Sequence, residues 1–185
     1  MEFDSKKAVI VPEGVFIIGT YDENGVPNAM NAAWGIQSDY GEITLYLAKH
    51  KTTENLKKTG AFTVAFATKN TVKISDYFGV ESGSNVNKIE KAGVHVHKSS
   101  RVNAPIIEEY PLTLECLVTS YDDETGILVG KIVSEQADEA ILTDGKVDYD
   151  KLKPIIFDIA SMSYRVIGPV VGKAFHDGLS LKKAD

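Results

Sequence analysis

The chain has 185 residues, 43% apolar and 25% charged, which suits one globular domain with a sizeable core. Its formal net charge of −6 argues against nucleic acid or an anionic membrane surface as the main partner. The single cysteine, Cys116, excludes an internal disulfide and disfavours structural zinc, and the apolar runs are too short to span a bilayer. Met1–Lys7 is polar and charged and is followed only by the short apolar run Ala8–Val11. No signal peptide is therefore expected, and a cytoplasmic location is.

In chain order, Val15–Tyr21 reads as a nearly continuous apolar strand, Asp22–Gly25 as a turn, and Val26–Ala33 as the returning arm of a hairpin. A turn is expected after Trp34, then a strand over Ile43–Ala48 with Ile43, Leu45 and Leu47 on one face. Thr52 or Thr53 is expected to cap a helix over Glu54–Thr59 that Gly60 closes. Phe62–Ala67 alternates as a strand. The period then changes: Val72, Ile74, Tyr77 and Phe78 predict a helix ended by Gly79, and Val86–Ala92 a second one closed by Gly93. Val94–Lys98 is extended and Ser99–Glu109 reads as loop. Pro111–Tyr121 and Ile127–Gln136 form a hairpin around Asp122–Gly126, and Asp144-Gly145 marks another turn. Ile155–Phe157 and Tyr164–Ile167 are short strands before a glycine-bearing tail. Strands joined by hairpins, with few helical crossovers, point to a compact antiparallel barrel.

The segment Asn28–Gly60 carries the clearest chemical signal. Small and polar residues lead to the only tryptophan, and a strand then runs into Lys49-His50-Lys51-Thr52-Thr53 at a helix start. First-turn N–H groups, hydroxyls and positive charge favour a phosphate there, with an aromatic ring near Ala32–Trp34. A lone strand tryptophan is more often core than cofactor contact, and lysines around a helix are more often a solvated face. No G-x-G-x-x-G, P-loop or G-x-S-x-G occurs, and no Ser/His/Asp order suggests a nucleophile. His95 and His97 share a strand face but lack an identifiable third ligand, so no metal site is assigned. Cys116 reads as a buried spectator.

These residues resemble the flavin reductase-like family of FMN-binding split barrels, in particular its flavoredoxin branch. The resemblance is carried by Gly19-Thr20-Tyr21, Pro27-Asn28, Asn31-Ala32-Ala33-Trp34, Lys49 to Leu56, Gly60-Ala61-Phe62 and Asp76-Tyr77-Phe78-Gly79 with Ser82-Gly83. It continues through Ala104-Pro105, Pro111-Leu112, Leu114-Glu115-Cys116, Tyr164, Gly168, Gly172 and Ala174-Phe175. It implies a mainly β fold, a six-stranded antiparallel Greek-key split barrel with a few short peripheral helices. Residues 1–185 would form one domain, and two copies a homodimer.

The implied cofactor is FMN. Asn31, Ala32, Ala33 and Trp34 would lie against the isoalloxazine. Ala48, Lys49, His50, Lys51, Thr52 and Thr53 would surround the phosphate, with Asn55 nearby. Phe78, Ser82 and Phe175 would help to enclose the flavin. The activity implied is electron transfer from NAD(P)H through FMN to a flavin, ferric or protein acceptor, with no catalytic side chain required. Two alternatives stand beside it: a flavoredoxin-type electron carrier reduced by a partner protein, and a non-redox barrel that binds another planar ligand such as haem.

Overall fold

The structure, a computed structural model, describes residues 12–182. In chain order it contains β1 (Glu13–Gly14), β2 (Phe16–Tyr21), β3 (Pro27–Ala32), β4 (Gly35–Asp39), β5 (Glu42–Tyr46), α1 (Lys51–Thr59) and β6 (Ala61–Phe66). Next come α2 (Val72–Val80), α3 (Lys88–Ala92), β7 (Val96–Lys98), β8 (Pro105–Ile107), β9 (Leu112–Tyr121) and β10 (Ile127–Ala137). The hairpin β11 (Leu142–Thr143) and β12 (Lys146–Val147), α4 (Tyr149–Leu152), β13 (Ile155–Asp158) and β14 (Ser163–Val166) complete the set.

Seven antiparallel strands make the principal sheet in the order β3-β2-β6-β9-β10-β5-β4. The sheet curls until its two end strands, β3 and β4, approach through the two-residue link Ala33-Trp34 without pairing, which leaves the barrel split. The interior holds Phe16, Ile18, Leu45, Phe62, Val64, Leu114, Cys116 and Leu128 among others. Closure requires two close approaches. A Cβ on Gly130 would sit 2.3 Å from Phe62 Cζ, and one on Gly35 would sit 2.3 Å from Leu45 and 3.1 Å from Phe16.

β2 begins with the continuous apolar run Phe16–Ile18 because both of its faces are buried. Phe16 and Ile18 enter the barrel, whereas Ile17 joins Ala29, Ala65, Phe78, Ile89 and Tyr110 in a second core. That second core lies where α2 and α3 cover the outer face of β3 and β2, so alternation alone cannot mark the inside of this strand. A smaller sheet, β1-β13-β14, ties residues 155–166 back to the start of the described chain.

The structure departs from the sequence expectations at five places. The turn after Trp34 is instead β4, paired to β5 across a short reversal at Gly41. The principal sheet therefore has seven strands instead of six. β8 lies inside the segment read as loop and pairs with β7. The expected Glu54 start of α1 moves to Lys51, because His50 is the cap. The Thr53 hydroxyl accepts from the His50 N–H and donates to the His50 carbonyl, both at 2.8 Å. α2 runs through Gly79 to Val80, and the following helix begins at Lys88 behind the cap Asn87. Gly60 does end α1, in the left-handed region at φ 69°.

Glu115 is fully buried on β9. Burial pushes its carboxyl up, but hydrogen bonds from Ser99, Gln136 and Ser134 and the nearby Arg101 charge outweigh this and hold it below the ordinary carboxylate range. Because the folded value is the lower one, Glu115 stabilises the fold above its unfolded value of about 4.3, and this contribution is lost as pH falls through the folded value. Glu115→Gln is expected to flatten the acid limb of the stability-versus-pH curve. Thermal melts between about pH 3 and 7 check this, and parallel curves would refute it.

Candidate functional site

A trough runs along β3 between the N-terminus of α1 and the segment from α2 to α3. Its central cavity, ≈ 220 Å³, is bounded by Asn28 and Asn31 on β3, by His50, Lys51 and Thr52 at the start of α1, and by Phe78–Gly83 with Lys88 on the far side. One end continues into a ≈ 260 Å³ cavity past Asn55 and Asn87. The other end opens into a ≈ 400 Å³ cavity over Ala33, Phe157 and Tyr164. Asn31, Gly79 and Val80 are shared with the second, and Asn28, Lys51, Gly83 and Lys88 with the first.

The wall is tightly built. Asn28 Nδ2 donates to Thr52 Oγ1 at 2.8 Å, and Asn55 Nδ2 donates to Thr20 Oγ1 at 3.1 Å, both among buried groups. A Cβ on Gly83 would fall 2.2 Å from Asn28 Oδ1, so only glycine lets the 81–83 loop pack against β3. Gly83→Val is expected to displace Asn28 from Thr52, weaken ligand binding in the trough about tenfold and lower the melting temperature through the lost buried hydrogen bond. Calorimetric titration measures this, and undiminished affinity would show that the loop yields freely.

Positive charge concentrates at the centre. Lys88 is only 4% exposed, and its ammonium meets one carbonyl, Phe78 O at 3.0 Å, with no carboxylate in salt-bridge range among the described residues. Burial lowers its pKa to about 8, partly offset by the Glu81 charge. Glu81 itself also lines the trough, but its carboxylate accepts from the Ser82 N–H at 2.8 Å and lies 3.9 Å from Lys91. Lys51 lines the same cavity at the first position of α1, where N–H groups lack intrahelical acceptors. A buried ammonium, a second lysine and a helix N-terminus line one cavity, the kind of donor set that a phosphate or another compact anion requires. Sequence reading passed over Lys88, because a lysine in a helical segment ordinarily points to solvent.

The sequence-selected residues fall into two groups. Asn31, His50, Lys51, Thr52, Phe78 and Ser82 line the central cavity, Asn55 lines its extension, and Ala33 lines the opposite end. Thr53 is buried, with its hydroxyl engaged by the helix cap. The Ala32 side chain lies in the barrel core. Ala48 and Lys49 are exposed before α1. Trp34 is 53% exposed, packs on Tyr46 with ring centroids 5.3 Å apart, and donates to Glu13 at 3.2 Å. Trp34 is thus neither core nor part of the cavity lining. Phe175 is fully exposed at φ 57° in a turn of the tail. The remaining basic residues of α1 serve elsewhere, Lys57 pairing with Asp123 and Lys58 with Glu23. Of the other candidates, His95 contacts Glu109 and His97 contacts Glu108 at the surface. Cys116 is buried in the barrel, where burial lifts its thiol to about 12.

Comparison with known proteins agrees with this architecture. Residues 8–153 match the flavin reductase like domain, and the chain belongs to that family of split barrels. Within it, the chain falls in the flavoredoxin branch. Flavoredoxin of Desulfovibrio vulgaris (Miyazaki F) is 31% identical with a TM-score of 0.90, covering 96% of this chain and 100% of that one. Flavoredoxin from Methanosarcina acetivorans is 28% identical with a TM-score of 0.88, covering 98% of each. A protein of Archaeoglobus fulgidus is 33% identical over 128 residues, 66% of this chain and 71% of its own length.

Proposed function

We propose that the trough binds FMN and that the chain, acting as one domain, is a flavin reductase-like oxidoreductase. The observation that carries this reading is Lys88, a buried ammonium that lacks a carboxylate partner and faces a cavity beside Lys51 and the α1 N-terminus. Burying such a charge is costly unless a ligand supplies the countercharge, and the phosphate of FMN would do so. The cavity beyond Asn31, with Ala33, Val80, Phe157 and Tyr164, offers the flat, partly apolar surface that a ring requires.

Each part of the site has a distinct task. Lys88, Lys51 and the first-turn N–H groups of α1 would hold the phosphate, and the Asn28–Thr52 bond fixes the wall between them. Phe78 and Ser82 lie on the opposing wall, and Asn31 and Ala33 border the ring end. FMN, when bound, supplies hydride and electron transfer, so no side-chain nucleophile or base is needed. The electron donor we infer is NAD(P)H and the acceptor a flavin, a ferric chelate or a redox protein.

A second reading, that of a flavoredoxin-type electron carrier reduced by a protein partner, is favoured by the two flavoredoxin structures, which align over nearly the whole chain. One experiment tests both readings. The purified protein is titrated with FMN, its absorption spectrum is recorded, and NADH and NADPH are then added without oxygen. Rapid bleaching by either supports the reductase. Bleaching only by dithionite supports the carrier. Failure to take up FMN overturns the assignment.

We also propose a homodimer. The tail beyond β14 leaves Ile167, Val170, Val171, Phe175, Leu179 and Leu181 exposed, and a second copy of the chain would cover such an apolar arm. Light scattering after size-exclusion chromatography decides this, and a monomer mass would overturn it.

A further inference from the structure

A separate cavity, ≈ 410 Å³, opens at the end of the barrel away from α1 and shares no lining residue with the trough. β2 fixes the direction: Phe16 at its start lines this cavity, whereas Thr20 near its end meets Asn55 of α1. The walls are apolar. Phe16, Ile43, Phe66, Leu112 and Leu114 come from the principal sheet, and Val147 comes from the β11–β12 hairpin, which packs with Leu112 and Phe66. Two polar side chains break this pattern. Glu135 pairs in register with Leu114, and Gln37 with Ile43. Leu114 and Ile43 belong to the barrel interior, and directly paired residues share a face, so Glu135 and Gln37 both stand at inward positions. Each lies beside a register shift, at Ile132/Ser134 in β10 and at Gln37/Asp39 in β4. Bulges at a barrel rim re-aim side chains, which is how an acid and an amide come to stand on an apolar interior face. Among the described residues Glu135 is the only charged one in the lining, and neither polar side chain has a hydrogen-bond or ion-pair partner.

We propose that this cavity binds a small amphiphilic amine, an aromatic or short aliphatic body that carries one ammonium group. The body fills the space among Phe16, Ile43 and Leu114, and the ammonium donates to the Glu135 carboxylate and the Gln37 carbonyl oxygen. Interiors of small barrels are ordinarily filled by their own side chains. A barrel mouth that keeps an apolar space with a few convergent polar groups is a common place for a small ligand. The volume lies at the lower end of the range for such sites, which suits a compact molecule. Charge sets the choice among compact molecules. A carboxylate of the same shape would lie beside Glu135 with no cationic side chain in the lining to meet it, and a neutral alcohol would forfeit the ion pair. The site stands apart from the trough and does not rest on reading the trough as a flavin site.

The test uses phenethylamine, phenethyl alcohol and hydrocinnamate, which share an aromatic body and differ in charge. Ligand-observed NMR titration of the full chain measures each affinity, with and without added FMN. Glu135 is partly open to water, so its ion pair is worth several-fold. The amine is expected to bind at least about fivefold more tightly than the alcohol, and the alcohol more tightly than the carboxylate. Glu135→Gln, a change at an exposed position, should bring amine and alcohol within about twofold while leaving the alcohol's affinity unaltered. Glu135→Lys should reverse the order of amine and carboxylate. FMN should leave all three affinities unchanged, because the cavity shares no residue with the trough. Equal binding of amine and alcohol, an order unaltered in both Glu135 variants, displacement of the amine by FMN, or no binding of any probe overturns the proposal. Amine binding that holds in a protein unable to take up FMN overturns the flavin reading alone and leaves the amine site standing.

Discussion

Lys88→Met is expected to lower FMN affinity about 100-fold, or about 2.7 kcal/mol, while the flavin-free protein remains folded and is at least as resistant to heat. The two effects have one cause. In the flavin-free chain the Lys88 ammonium is buried against a single carbonyl, so an apolar chain of similar length removes a desolvation cost and forfeits only the bond to Phe78 O. In the complex the same charge would face phosphate in a site of low dielectric, where loss of one partner is severe. Fluorescence quenching of FMN and thermal melts of the flavin-free protein measure the two arms. An unchanged affinity would remove Lys88 from the phosphate site.

The unmodified protein should show the same balance in its pH dependence. The folded pKa of Lys88, about 8, lies below the unfolded value of about 10.4. Between these values the unfolded chain binds more protons, so the Lys88 contribution makes the flavin-free fold more stable as pH rises. FMN affinity should move the other way. Above pH 8 the free site loses its proton, and binding weakens by up to about tenfold per pH unit until the pKa of the complex is reached. In Lys88→Met the fall in affinity above pH 8 should vanish.

The second large effect lies in the barrel. Phe62→Ala is expected to cost about 3–5 kcal/mol, since Phe62 is wholly buried at the centre of the interior cluster. Gly130→Ala should cost about 2 kcal/mol for the opposite reason, because its new methyl would overlap the Phe62 ring. The double variant should be less damaged than the sum of the two, since removing the ring frees the space that the methyl needs. Urea denaturation of the four proteins gives the coupling, and strict additivity would show that the two residues do not compete for space.

Local pattern carried much of the fold. Alternation at Ile43, Leu45 and Leu47, the turn at Asp122–Gly126 and the glycines at 60 and 93 express backbone and period rules that act over a few residues. β4 escaped because Gly35–Asp39 is exposed along most of its length and lacks an apolar face. It is a strand only because β5 offers it an edge. β8 escaped for a related reason, its extended form depending on pairing with β7.

The site divides along the same line. Lys49-His50-Lys51-Thr52-Thr53 announced a basic helix start from composition and position alone, since a helix N-terminus is a local structure. Chemistry assembled by long-range packing had no local signature. Lys88 becomes buried only when α3 closes against β3, and Thr53 is committed to a cap that no propensity rule assigned to His50. Tyr164 meets Asp76, 88 positions away in sequence, only when β14 returns beside α2. Burial and partner choice are properties of surfaces brought together across the chain. Residue order therefore determined the barrel's elements and the basic helix start, and only the folded arrangement decided which lysine is buried and which polar groups meet.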